Sequence, residues 1–352
     1  GFQKYPPKKR VASNITKERM LKHCSSVLLF LVVATSGSHH ANNVVNNRSP
    51  YVTFGRPRRH LLSKSHLVGT SAMSPPSIIP RGGGDDDTPS PPPPTKITTL
   101  IFDIDDTLYD VANNFTCHRN THGATSFMLK HLHFTSPSDA TRVRDHYFEK
   151  YHSTAKALTV AQSEGQLPPT APPFDLRDLA KHWVDELDYS LLGGPDRELV
   201  DMLRDCPLRM VAFTNGPREY ALKVLKTLDL LRDDGGGGVF AAEDVFAVDD
   251  VLPHCKPEAG AFEKVFRRIG VRAEECVMVE DSMKNVKCAK ALGMKTVLVL
   301  GTRVRTEEEA VINGEVPDER HESVDCCVRL VSEMRGRLGS LWEGCPAVFE
   351  VT

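Results

Sequence analysis

Two aspartates separated by one residue, Asp103 and Asp105 in Phe102-Asp103-Ile104-Asp105-Asp106-Thr107-Leu108, close the apolar run at residues 97–104. Side chains alternate faces in an extended segment, so the two carboxylates project to the same side and bracket one small volume. Carboxylates that close repel unless a cation or a proton intervenes. The pair suits metal-assisted or acid–base chemistry, and on its own it fits an Asx turn capping a helix equally well.

Three other places in the chain carry matching chemistry. The apolar run at 208–213 ends in Thr214-Asn215-Gly216, a hydroxyl followed by backbone amides freed by a glycine turn, which supplies donors for an anion. Thr-Asn-Gly is also a common strand terminator. Lys256 precedes Pro257 at a helix start, where it reads as a fixed cation for phosphate or as an exposed charge. Glu280 and Asp281 follow the buried run Val277-Met278-Val279, an awkward place for two charges unless something neutralises them. Mg2+ would, because it prefers carboxylate oxygen and water as ligands.

The elements that must position these residues follow from hydrophobic patterning. Residues 97–104, 208–213, 245–248, 277–279 and 296–300 are brief, rich in β-branched residues and nearly all apolar, as strands buried on both faces are. Residues 219–228, 258–269 and 282–292 place apolar side chains at helical spacing. The alternation predicts an α/β fold, a doubly wound parallel sheet whose ligand crevice lies beyond the carboxyl ends of the strands. Each chemistry-bearing residue falls just past a strand or at a helix start.

In that order and at those positions the sequence resembles the haloacid dehalogenase-like hydrolase superfamily, over about residues 96–301. The Asp-x-Asp-x-Thr of its first motif falls on Asp103 to Thr107, the Thr of the second on Thr214, the Lys of the third on Lys256 and the acid pair of the fourth on Glu280 and Asp281. The resemblance implies a phosphomonoester hydrolase with a Rossmann-like core. Asp103 would attack phosphorus to give an acyl phosphate, and Asp105 would protonate the leaving oxygen and then deprotonate water. Mg2+ would be held by the Asp103 carboxylate, the Asp105 backbone carbonyl and Asp281, with Glu280 beside it. Thr107, Thr214, Asn215, Gly216 and Lys256 would surround the phosphoryl group. An acid at Asp105 is needed by the phosphatases of the superfamily and not by its dehalogenases. Asp106 replaces a glycine common there, which reduces backbone freedom in the turn.

Residues 109–195 separate the first motif from the second and carry helical stretches at 125–132, 140–158 and 175–186, which predicts an all-helical cap that excludes water and selects the leaving group. Phe102 to Tyr109, Tyr151-His152-Ser153-Thr154, and Glu280-Asp281-Ser282 through Asn285 resemble the pyrimidine 5′-nucleotidase-like subgroup of fungi and plants, within subfamily IA of the superfamily. That implies a nucleoside 5′-monophosphate or a related small phosphate ester as substrate. Thr154 and Lys156 are candidate cap contacts, or part of a solvated helix face. Two other readings remain: a phosphomutase using the same core, and a catalytically silent metabolite-binding regulatory protein. The second predicts loss of Asp103, Asp105, Lys256 or Asp281, and all four are present.

Composition bounds the rest. The chain has 352 residues, a net charge of −2 and 40% hydrophobic residues, so no global field favours a nucleic acid polymer or a membrane surface, and the oligomeric state stays open. Nine cysteines, without the paired spacing of a zinc site, read as reduced thiols. Residues 1–72 have Glu18 as their single acid, and an apolar run at 27–34 behind Lys17, Arg19 and Lys22 is too short for a membrane span. With a start at Met20 this reads as an address to a plastid or mitochondrion, and with a start at Met73 the product is cytoplasmic. Residues 73–95 form a Pro/Gly-rich linker, 96–108 and 196–301 the hydrolase core, and 235–238 a glycine loop insertion. Residues 302–352 form an extension packing on the core, with one amphipathic helix at 324–334.

Overall fold

A computed structural model describes residues 96–232, 235, 237–305 and 315–352. The expected targeting segment and linker lie outside the described residues. Six strands form one sheet in the order β3-β2-β1-β4-β5-β6: β1 (Thr99–Phe102), β2 (Arg209–Phe213), β3 (Val245–Phe246), β4 (Cys276–Glu280), β5 (Lys295–Val299) and β6 (Cys326–Val328). All pairings are parallel, with Phe102 opposite Ala212 on one side and Val279 on the other. The chain winds outward from β1 in both directions, so the switch point falls between β1 and β4. Their carboxyl ends carry Asp103 on one strand and Glu280 with Asp281 on the other.

Alternation explains why β1 and β4 are apolar throughout. Leu100, Phe102, Val277 and Val279 pack into one hydrophobic cluster, and Ile101 and Met278 pack into another on the opposite face. The second cluster includes Ala261, Phe262 and Val265 of a covering helix. Both faces are dry, as a parallel sheet requires.

Eleven α-helices are found among the described residues. Six lie between β1 and β2, and the first five of them, α1 (Phe115–His118), α2 (Ala124–His131), α3 (Pro137–Tyr151), α4 (Thr154–Ser163) and α5 (Leu176–Glu186), form the helical cap. A π-helical turn, Arg119–Gly123, joins α1 to α2. The core helices are α6 (Arg197–Arg204), α7 (Arg218–Thr227), α8 (Val248–Val251), α9 (Ala259–Ile269) and α10 (Met283–Ala291), and α11 (Met334–Arg337) is near the end of the chain. No helix among the described residues is long and apolar enough to cross a membrane.

Two expectations are corrected. The stretch at 140–158 is two helices: His152 takes left-handed geometry (φ 49°) and the Ser153 side chain caps α4 by accepting from Lys156 N. Residues 324–334 are not one helix, because Cys326–Val328 joins the sheet, with Val297 opposite Cys326 and Val299 opposite Val328. Its alternation of buried, half-buried and buried residues satisfies a strand period, and a neighbouring edge to pair with decides between the two.

Candidate active site

Asp103 is the first residue beyond β1, and its N–H donates to the Val279 carbonyl at 2.9 Å, which holds it against β4. Its Oδ1 accepts from Lys256 Nζ at 2.7 Å, and the same ammonium donates to Glu280 Oε2 at 2.8 Å. Lys256 is 1% exposed and lies 5.2 Å from the centre of the Phe213 ring. Such a cation stays in place because it is paired on two sides. Asn215 fixes the loop that carries it: its Oδ1 accepts from Lys256 N and its Nδ2 donates to Lys256 O, both at 2.8 Å.

Asp105 sits in a separate nest of donors. Its carboxylate accepts from the Arg119 guanidinium, from Tyr220 Oη at 2.5 Å, from Tyr109 Oη at 2.8 Å and from Thr214 Oγ1 at 3.2 Å. Burial alone would raise this carboxyl, but Arg119 and the phenol hydrogen bonds outweigh it and hold the group below its ordinary value. Arg119 opens the π turn of the cap. There, an ideal Cβ on Gly123 would lie 2.6 Å from Leu187 Cδ2 and 3.3 Å from Trp183 Nε1, so glycine lets the turn lie on α5. Tyr220, on α7, stands over Gly216, where a Cβ would come within 2.9 Å of the ring.

Asp103, Glu280 and Asp281 present carboxylate oxygens that all lie within 4.8 Å of one another. Asp281 Oδ2 is bonded to the Arg305 guanidinium, whose Nη1 also reaches the Asp281 carbonyl at 3.3 Å, and Arg305 approaches Asp106 Oδ2 at 3.7 Å. Asp106 has φ 55° and accepts from Thr116 Oγ1 at 2.7 Å, so an aspartate occupies the left-handed turn with its side chain anchored. Asp103, Asp105, Asp106, Glu280 and Asp281 are paired with Lys256, Arg119 and Arg305, a formal surplus of two negative charges. Without a further cation that surplus appears as retained protons. Burial, reinforced by Asp281 and Asp105 against the pull of Lys256, lifts Asp103 to about 7. Burial and Asp281 lift Asp106 to about 7, against the pull of Arg305. Burial and Asp103 raise Glu280, while Lys256 is held protonated by its two partners. Buried oxygen donors lacking two positive charges fit one Mg2+ ion.

The expected site residues therefore meet at one end of the sheet, in more specialised positions than the sequence indicates. The Thr214 hydroxyl donates to Asp105 and accepts from Gly216 N at 3.0 Å. The Thr107 hydroxyl faces Asp281 Oδ1 at 3.5 Å. The Asn215 side chain joins Lys256 to the cap, donating also to the His152 carbonyl at 3.3 Å. Ser153 Oγ donates to the Asn215 carbonyl at 3.1 Å, and Lys284 Nζ lies 2.5 Å from His152 Nε2, so residues 151–154 form the seam between cap and core. Thr154 is buried, and Lys156 is paired with Glu258. Arg119, Tyr220 and Arg305 are the partners that sequence reasoning missed.

Residues 97–293 match the family model of haloacid dehalogenase-like hydrolases. The chain is 25% identical over 210 residues to the phosphoglycolate phosphatase of Chromobacterium violaceum, covering 58% of this chain and 85% of that protein. Similar solved structures include a HAD phosphatase from Thermococcus onnurineus, at 21% identity and a TM-score of 0.41 over 69% of this chain and 98% of that one. Another is CbbY from Rhodobacter sphaeroides in complex with phosphate, at 16% identity and a TM-score of 0.46 over 68% of this chain and 96% of that one.

Proposed function

The chain belongs to the haloacid dehalogenase-like hydrolases, and from that premise we propose that it is a magnesium-dependent phosphomonoesterase working through an aspartyl phosphate on Asp103. The observation that carries the reading is the division of labour between the two aspartates. Asp103 meets a single cation, Lys256, and Asp105, two residues on, meets four donors of its own. A nucleophile must keep a free lone pair, and an acid–base group must be held in one orientation.

In the reaction the Asp103 carboxylate attacks phosphorus while Lys256 screens the approach of one anion to another. Asp103, Asp281 and the Asp105 carbonyl would hold Mg2+, which when bound supplies further screening of that charge. A phosphoryl dianion entering beside Asp105 pushes its carboxyl upward, opposing Arg119, so that it carries the proton the leaving oxygen takes. Once ionised, Asp105 accepts a proton from the water that splits the acyl phosphate.

The seam at residues 151–154 supports assigning leaving-group selection to the cap. The subgroup likeness of that segment favours a nucleoside 5′-monophosphate, and the relative from Chromobacterium violaceum favours a small carboxylated phosphate ester such as phosphoglycolate. A panel of both classes with Mg2+, assayed for free phosphate, separates them. A mutase would return no free phosphate, and full activity in Asp103→Asn would sink the aspartyl-phosphate route.

A further inference from the structure

We infer that Arg119 is a positioning residue for the proton-transfer step, fixing the Asp105 carboxylate toward the leaving oxygen; the inference rests on the phosphomonoesterase reading above. Arg119 is 8% exposed, and its guanidinium is itself immobilised. It lies 5.4 Å from the Trp183 ring centre and 5.2 Å from that of Tyr220, and its Nε donates to Asn120 Oδ1 at 3.2 Å. Its Nη1 donates both to Asp105 Oδ2 and, at 3.1 Å, to Tyr220 Oη, which in turn donates to Asp105 Oδ1 at 2.5 Å. The carboxylate is thus gripped at both oxygens by two groups that grip each other, which fixes its plane as well as its place.

The grip spans two parts of the molecule. Asp105 follows β1 in the core and Arg119 lies in the π turn of the cap, so a cap seated on the core completes the arrangement. As the bond from Asp103 to phosphorus forms and the ester P–O bond breaks, the Asp105 proton passes to the leaving oxygen. A carboxyl free to rotate delivers it less often. Leaving groups stable without a proton are indifferent to that loss, and alkoxides are not.

The test compares the full chain with its Arg119→Ala, Arg119→Lys and Tyr109→Phe variants, with Mg2+, on 4-nitrophenyl phosphate and on an alkyl phosphate. In Arg119→Ala, kcat/KM, which covers the steps up to departure of the leaving group and not the later splitting of the acyl phosphate, should fall about 100-fold for the alkyl ester and less than about threefold for the aryl ester. Added guanidinium ion should restore part of the alkyl activity. Arg119→Lys keeps the charge and should fall between. Tyr109→Phe, which removes one donor from the same carboxylate without changing its volume, should show the same selectivity more weakly and covers a failure of Arg119→Ala to fold. Equal losses of kcat/KM on both esters would overturn the role. Absence of phosphate release from either ester in the wild type would instead overturn the phosphomonoesterase reading, and the Arg119 role with it.

Discussion

Replacing Asp103 with Asn should abolish turnover and stabilise the metal-free protein, and the stabilisation should depend on pH. The carboxyl is lifted from 3.8 to about 7 by burial, with Asp281 and Asp105 adding to it. A carboxyl whose folded pKa exceeds its unfolded value binds protons more tightly in the native state. Its cost to stability is therefore absent below pH 4, grows as pH rises, and is complete above about 7. Each pH unit in that window is worth about 1.4 kcal/mol. Between pH 5 and pH 8, Asp103→Asn should then gain about 2–3 kcal/mol relative to wild type. Comparing two pH values removes the constant cost of the lost Lys256 contact. Urea unfolding in EDTA, followed by far-UV circular dichroism at both pH values, measures the difference. A gap between variant and wild type that is the same at pH 5 and pH 8, or larger at pH 5, would refute the electrostatic reasoning. Saturating Mg2+ should narrow the gap at pH 8 by relieving the wild-type charge, and turnover should drop about 10³-fold or more.

Three other perturbations test separate parts of the molecule. Arg305→Ala frees Asp281 Oδ2, so Mg2+ affinity should rise about tenfold, about 1.4 kcal/mol, read by calorimetric titration of the metal-free protein; unchanged affinity would show that Arg305 does not compete for that oxygen. His182, buried against Ser126 Oγ at 2.8 Å, is held down to about 4 by desolvation and then by His131, so it favours the native state above pH 6.5 and that contribution is lost as pH falls toward 4. His182→Gln should flatten this acid limb by about 1–2 kcal/mol, allowing for water at its edge, and an identical slope in wild type and variant counts against the assignment. Gly216→Ala places a methyl 2.9 Å from the Tyr220 ring and should cost about 1–3 kcal/mol in unfolding free energy while reducing kcat, since Tyr220 holds Asp105; full activity would mean the ring moves freely.

The core was legible because its signals are local. A buried parallel strand must be apolar throughout, and each strand that pairs at the switch point is followed by the residue expected to do chemistry. Thr214, Lys256, Glu280 and Asp281 each fall after a strand or before a helix, a signal that is weak singly and became specific through their order and the resemblance it carries. Arg119 could not be placed, because it is followed by Asn-Thr-His-Gly, three weak helix formers and a glycine that mask helical periodicity. A π turn stabilised by tertiary packing carries that segment through. Tyr109 was in view as part of a motif, yet its hydroxyl partner depends on how the turn after β1 folds back. Arg305 lies in a loop beyond the last strand of the expected core, where no period exists to read. The break in the cap at His152 was likewise hidden, since Ser153 is an unremarkable helix residue until it caps.

The two edges of the sheet have a consequence for the life of the chain at high concentration. β3 contributes two residues and β6 three, whereas the central strands run to four and five. An exposed edge is a template for pairing with another molecule, and its danger grows with the length of its unpaired amide row. Parallel sheets assemble slowly and leave partly formed edges exposed while they do. Tapering from the middle outward leaves the sheet, among the described residues, short edges that offer a neighbour little to extend.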